Sequence, residues 1–363
     1  MAQVCLTADV HLGIPGRTQD IFWSLRTIRQ YANTANIDIV IILGDLFHDR
    51  RYLEISLMNE TYKFFKETKE KYGQTWIVFP GNHDMFLKHS WTINSLLPLQ
   101  DNITVIEDIK ILEIDDRRFW ILPFISLEKS YMRMLNIIEK QHKDGDILLT
   151  HIGVANAILN TCFMLKEWSI VNFERSRFQR IYTGHFHSQQ QIGENVYYPG
   201  SPIPFKFDEG DVIHGFYVLD TTTNKHRFVN IWKAGMHFFP DEIPPPQFCT
   251  ITDDALENLE ETDVKHNAIR IVLQREYTFD EKKTIRERIM NMGAKSVYWK
   301  NLISTNENVV ELEPNATMYK NLFTALLEAD PNGTKGLDLN LLTKINDDVI
   351  QTGDELYSLE EVE

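Results

Sequence analysis

Cysteine is scarce in this chain: Cys5, Cys162 and Cys249 are all it has in 363 residues. An odd, widely spaced set excludes a disulfide framework and suits a reducing cytoplasm, which is the location expected. Long apolar runs are missing too. None approaches the ~20 residues a bilayer-spanning helix needs, so no membrane role is expected. The opening "MAQVCLTADVHLG" lacks a basic start, an apolar stretch and a cleavage site, and reads as no secretion signal. Positive charge is also short, with 37 Lys and Arg against 52 Asp and Glu, a net −15. A chain so acidic is no whole-surface nucleic-acid binder. Any contact with phosphates must come from bound cations or from a local basic patch.

What is present is a regular alternation. "VCLTADV", "IDIVIILGD" and "TWIVFPGN" are apolar strands ending in polar loops, separated by "TQDIFWSLRTIRQYANTAN" and "EISLMNETYKFFKETKEKYG", which have helical periodicity. Strand and helix in turn predict an α/β fold with parallel or mixed sheets and helices on their faces. Ligands in such folds sit beyond the carboxyl ends of the strands. Further strands are read at "ITVIED", "IKILEID", "RFWILPF", "DILLTHIG", "RIYTGHF" and "NVYYPGS", and a hairpin turning near Thr222–Lys225. The proline-rich "PDEIPPPQ" (240–247) marks a domain boundary. Beyond it a strand, a helix ended by Gly293 and another strand form a small α/β unit. From Pro314 the pattern is purely helical.

Five short stretches carry the chemistry, each where a strand runs into a loop. "ADVHLG" offers Asp9 and His11, one residue apart, so an extended backbone sends both side chains the same way. "GDLFHD" offers Asp45 and His48. "GNHD" offers Asn82, His83 and Asp84, with Asp84 placed to orient the His83 ring. "THIG" offers His151, and "TGHFHS" offers His185 and His187. Oxygen donors mixed with imidazoles suit divalent manganese, iron or zinc rather than calcium. Seven ligands exceed what one ion takes while leaving room for a substrate. They divide between two ions sharing a carboxylate, a known device for splitting phosphate esters.

These stretches, in this order, resemble the motif set of the calcineurin-like metallophosphoesterase superfamily. "YYPGSPIPFKFDEG" (197–210) and "WILPFI" (120–125) are similar to segments of its SbcD-type DNA-repair nucleases. The resemblance implies a sandwich of two mixed β-sheets flanked by helices, with a capping unit and a helical tail. It places the nuclease domain at 1–240, the cap at 247–313 and the tail at 314–363. Asp9, His11 and His187 would hold one Mn2+, and Asn82, His151 and His185 the other, with Asp45 bridging; Mg2+, Fe2+ or Zn2+ are substitutes. His83 would be the catalytic histidine, steadied by Asp84, and His48 a second histidine near the scissile phosphate. The implied activity is 3′-to-5′ exonuclease on duplex ends and endonuclease on single-stranded DNA, from a homodimer. Where relatives often carry a proline after "GDLFH", this chain reads "DRRYLEIS".

Two segments are candidates for macromolecular contact. Residues 265–300 hold nine Lys and Arg against four Asp and Glu. Lys282, Lys283 and Arg286 are the expected DNA contacts, the alternative being a solvated charged face. The apolar stripes of the tail fit a groove or a coiled coil, and the resemblance implies the SbcC-type ATPase as that partner. Two other readings stay open: a phosphatase or phosphodiesterase with a non-DNA substrate, and a catalytically silent DNA-end scaffold.

Overall fold

A computed structural model describes residues 3–87, 90–115, 117–160, 163–164, 170–171, 173, 176–210 and 212–301. Cys162 and the tail at 314–363 lie outside these residues.

The strands alternate their side chains between two environments, and that alternation builds the layers. In β1 (Gln3–Thr7), Val4 and Leu6 face one core while Cys5 faces another. In β2 (Ile39–Ile42), Ile41 joins Leu6, and Val40 and Ile42 join Cys5. β3 (Thr75–Val78) repeats this with Ile77 on one side and Trp76 and Val78 on the other. β1, β2 and β3 run parallel, with β4 (Thr104–Val105) added parallel beside β3.

A second sheet is built from β5 (Lys110–Ile114), β6 (Arg117–Leu122), β7 (Ile147–His151), β8 (Arg180–Gly184), β9 (Gln190–Ile192) and β10 (Val196–Tyr198). Its order is β9-β10-β8-β7-β6-β5, with β6, β7, β8 and β10 parallel and both edge strands antiparallel. The chain then returns to the first sheet through β11 (Gly215–Asp220) and β12 (His226–Asn230), the hairpin read in the sequence. The first sheet is therefore β12-β11-β1-β2-β3-β4.

The two six-stranded sheets pack face to face over Leu6, Ile41, Ile77, Phe119, Ile121, Ile147, Leu149 and Tyr182. Helices α1 (Thr18–Thr34) and α2 (Ile55–Tyr72) cover the outer face of the first sheet through Ile21, Phe22, Leu25, Ile28 and Phe65. Helix α3 (Glu128–Gln141) covers the second through Tyr131, Leu135 and Ile138. This is the expected sandwich of mixed sheets between helical layers. A short helix, α4 (Ile231–Phe238), capped by the Asn230 side chain, follows β12 and packs against α1.

Residues 248–301 form a separate three-stranded parallel sheet of β13 (Phe248–Thr252), β14 (Ala268–Leu273) and β15 (Ser296–Asn301). Helix α5 (Phe279–Asn291) opens on a reciprocal cap between Thr278 and Glu281, and lays Ile289 on Ile269, Ile271 and Val297. Gly293, at φ +89°, turns the chain out of it, as the sequence predicts. No helix among the described residues is long and apolar enough to cross a membrane.

Candidate metal centre

Five parallel strands from both sheets end on one rim: β1, β2 and β3 from the first, β7 and β8 from the second. The loops leaving them tie together through backbone bonds. Asp9 N–H donates to Gly44 O at 3.2 Å and His11 N–H to Asp45 O at 3.0 Å. The expectation that an extended backbone aligns Asp9 with His11 is corrected here. β1 ends at Thr7, and Asp9, His11, Asp45 and His185 all have left-handed backbones, with φ of +51°, +53°, +55° and +103°. Four of the nine non-glycine residues described with positive φ are thus site residues. Each such residue costs of order 1 kcal/mol, which the loop-to-loop bonds must hold. At Gly81 and Gly184 no side chain fits: a Cβ would overlap Asp45 at the first and the Leu43 carbonyl at the second. This is the physical reason for a glycine before Asn82 and before His185.

Two groups of side chains result. Asp9, His11 and His187 place ligand atoms within 4.8 Å of one another. The His11 and His187 Nε2 atoms are 3.0 Å apart. In the second group the Asn82 Oδ1 lies 3.0 Å from His151 Nε2 and 2.8 Å from His185 Nδ1. Asp45 stands between them, with Oδ2 3.7 Å from His11 Nε2 and 3.3 Å from His151 Nε2. Its Oδ1 accepts the His83 backbone N–H at 2.7 Å. All seven predicted ligands are therefore gathered, and Oδ2 is the Asp45 atom that faces both groups. His185 and His187, one residue apart in sequence, go to different groups.

Neighbours fix the rings. His151 Nδ1–H donates to the Leu43 carbonyl at 2.8 Å, leaving Nε2 free to face inward. His187 Nδ1–H donates to Glu209 Oε1 at 2.9 Å, and Phe205 packs edge-on against both His11 and His187. Phe124 stacks along His185. Glu209, Phe205 and Phe124 were not singled out in the sequence. The signal for Glu209 was a carboxylate in "FKFDEG", indistinguishable there from any surface acid.

His48 and His83 stack at 5.6 Å with rings 10° apart, and their ligand atoms group with that of His11. The expected role of Asp84 is corrected. Its carboxylate accepts N–H from Phe47 and Gly81 at 3.0 Å and from Leu46 at 3.3 Å, so it staples two loops rather than orienting the His83 ring. His83 Nδ1–H instead donates to the His48 carbonyl at 2.6 Å.

The electrostatics of the centre ask for cations. Asp9 and Asp45 are buried carboxylates, and among the described residues the ion-pairing groups at Asp45 are imidazoles. Burial pushes Asp9 up to about 6. Burial also opposes ionisation of Asp45, but the His151 charge and hydrogen bond outweigh it and hold that carboxyl well below its usual range. Burial disfavours charge on His151, yet Asp45 and Asp9 lift it to about 9, while burial and the His151 charge depress His185 to about 3. Burial, then the Asp45 charge, pushes Asp84 up to about 7. Asp9, raised by burial, is a buried carboxylate whose anion a bound counter-charge would stabilise. The His11 and His187 Nε2 atoms share one proton as a hydrogen bond at 3.0 Å, and both turn a lone pair to the same point once an ion displaces it. The donor set fits divalent metal ions.

The predicted DNA contacts Lys282, Lys283 and Arg286 lie on α5, away from these groups in sequence and element, and none forms an ion pair among the described residues. Other basic residues nearby are engaged: Arg270 with Asp208, Arg275 with Glu281, Lys265 with Glu261 and Lys295 with Asp20. Over 247–301 as a whole, nine Lys and Arg face ten Asp and Glu, so the local excess of positive charge is confined to part of the unit.

The sequence profile of the calcineurin-like phosphoesterases matches residues 2–189. A putative phosphoesterase, 244L of Invertebrate iridescent virus 6, is 27% identical over 188 residues, 49% of this chain and 62% of that protein. Exonuclease subunit 1 of Enterobacteria phage T4 is 22% identical over 272 residues, 67% of this chain and 73% of that protein. The chain spans 62% and 50% of the lengths of two iridescent-virus relatives. Among solved structures, the Pseudomonas putida nuclease MPE is 15% identical, with a TM-score of 0.27 over 53% of this chain and 66% of that one, too slight a likeness to use.

Proposed function

The chain belongs to the calcineurin-like phosphoesterase family, a family of metal-dependent hydrolases, and on that premise we propose that it is a DNA nuclease of the SbcD type, cutting phosphodiester bonds with two divalent ions, manganese foremost. The observation that carries the reading is the pair of ligand groups sharing Asp45 Oδ2. The reach of the T4 exonuclease subunit match, the "YPGSPIPFKFDEG" stretch and the separate 248–301 sheet support DNA as substrate over a small phosphate ester.

When bound, two divalent ions draw charge from phosphate oxygens and make water nucleophilic near neutral pH. Asp9 and Asp45 supply the negative charge that retains them, and Asn82 adds an oxygen without adding more. The carbonyl of Leu43 and the carboxylate of Glu209 hold the proton of the neutral His151 and His187 rings on Nδ1, so that Nε2 is the nitrogen turned inward to meet an ion. His83, held at Nδ1 by the His48 carbonyl, has its Nε2 left to hand a proton to the departing 3′ oxygen. Residues 247–313 serve as the cap, and the DNA backbone tracks along α5. The segment 314–363 binds an SbcC-type ATPase, and the nuclease works as a homodimer.

Purified protein with manganese, tested on linear duplex DNA, single-stranded DNA and an aryl phosphodiester, separates the readings. Cleavage of DNA from 3′ ends supports the nuclease. Turnover of the aryl ester alone makes it a phosphodiesterase of another kind, and metal binding without any turnover makes it a scaffold.

A further inference from the structure

Four consecutive residues, Phe207 to Gly210, join the metal centre to the 248–301 unit. Phe207 to Glu209 form a single 3-10 turn, so neighbouring side chains leave in different directions. Three of the four face the unit. Phe207 packs edge-on against Phe248 at 4.9 Å and Tyr298 at 5.1 Å. Asp208 Oδ1 accepts from Arg270 at 3.2 Å, and the same guanidinium lies over the Phe207 ring and donates to Thr250 Oγ1 at 3.2 Å. Gly210 lies so close to the β13 backbone that a Cβ would overlap the Phe248 carbonyl.

The remaining residue faces the other way. Glu209 is 3% exposed. Its Oε1 takes the His187 Nδ1–H at 2.9 Å, and its Oε2 takes the Phe205 N–H at 2.7 Å. Its backbone carbonyl accepts from the buried His214 ring at 2.8 Å. Both carboxylate oxygens and the backbone carbonyl of Glu209 are thus engaged. Its place is set by the turn, and the turn is clamped on its other side by Arg270, Phe248 and Tyr298.

We infer that Glu209 is a positioning residue for His187 and that the seating of the 248–301 unit, transmitted through the Arg270–Asp208 contact, sets how tightly the Asp9–His11–His187 group holds its ion. The inference rests on the two-ion reading of the centre. A partner or DNA strand that shifts the unit would thereby change occupancy at one ion and leave the other, held by Asn82, His151 and His185, largely unaffected.

Manganese binding to the full chain, followed by calorimetry and by the electron spin resonance of free Mn2+, tests this without reference to turnover. The wild-type protein takes up two ions. Glu209→Gln weakens one of them by about 10- to 100-fold, the usual effect of losing a carboxylate behind a ligating histidine, and leaves the other within twofold. Arg270→Gln, which touches no ligand, weakens the same ion several-fold. The double variant is no worse than Glu209→Gln alone, because the two act in series. Glu261→Gln, on the same unit but paired only with Lys265 at its surface, leaves both affinities unchanged. Unchanged binding in Arg270→Gln with a native thermal transition overturns the coupling, and unchanged binding in Glu209→Gln overturns the positioning role. A wild-type protein that takes up no ion sinks the two-ion reading itself, a different result from either.

Discussion

At the scale of single residues, the centre depends on what stands behind each ligand. Asp45 divides its two oxygens, one on the His83 backbone and one toward the histidines of both groups. His83 is held at Nδ1 by the His48 carbonyl. His83→Asn is expected to lower DNA cleavage by about 10²- to 10⁴-fold, the range of a lost general acid, while calorimetry still counts two manganese ions. Activity near the wild-type level would remove His83 from the mechanism. Asp84 shows how a motif misleads at this scale. Adjacent to His83 in sequence, it is occupied by backbone N–H groups of Leu46 and Phe47 from the loop after β2 and of Gly81 from its own loop.

At the scale of elements, two predictions follow from how strands and helices present charge. His226 on β12 meets Tyr182 and Arg180 on β8, so it joins the edge strand of the first sheet to an inner strand of the second. Arg180 only donates, so His226 Nε2 must accept and the ring stays neutral; burial and the Arg180 charge depress it to about 4. A folded-state value below the unfolded 6.5 means the unfolded chain binds the proton more readily. The stabilisation is whole above pH 6.5 and is lost as pH falls from there towards 4. Because the ring is partly exposed and solvent screens it, the loss is only about 1 kcal/mol. Urea midpoints across that range should flatten in His226→Gln, and identical slopes would show that other groups control the acid limb. On α5, reversing Lys282, Lys283 and Arg286 to Glu should weaken DNA binding and reduce the steepness of its salt dependence. If neither changes, this helix presents an ordinary solvated face.

For the whole molecule, the centre draws Asp9 and Asp45 from loops of the first sheet and His151 and His185 from the second, so ions held there would tie the two sheets together. Manganese at about 100 times its dissociation constant should stabilise the protein by about 2.7 kcal/mol, seen as a rise in the thermal midpoint that EDTA reverses. A midpoint indifferent to metal and chelator alike would argue that the centre takes up no ion. Removing residues 315–363 should end co-purification with an SbcC-type ATPase and spare manganese-dependent cleavage of single-stranded DNA; a persisting complex would place the partner elsewhere.

The sequence by itself determined the layers and the ligand types. Continuous apolar strands such as Gln3–Thr7 and Thr75–Val78 must be buried on both faces, and helices between parallel strands must cover them. Residues placed just past such strands share one rim, so Asp9, Asp45, Asn82, His151, His185 and His187 were legible as one site. Tertiary structure alone decided which atoms face inward. The left-handed turns at Asp9 and His11, the stapling use of Asp84, and Glu209 behind His187 all arise from hydrogen bonds between loops far apart in the chain. Local spacing fixes where a side chain starts, but its partner across the rim fixes where it points.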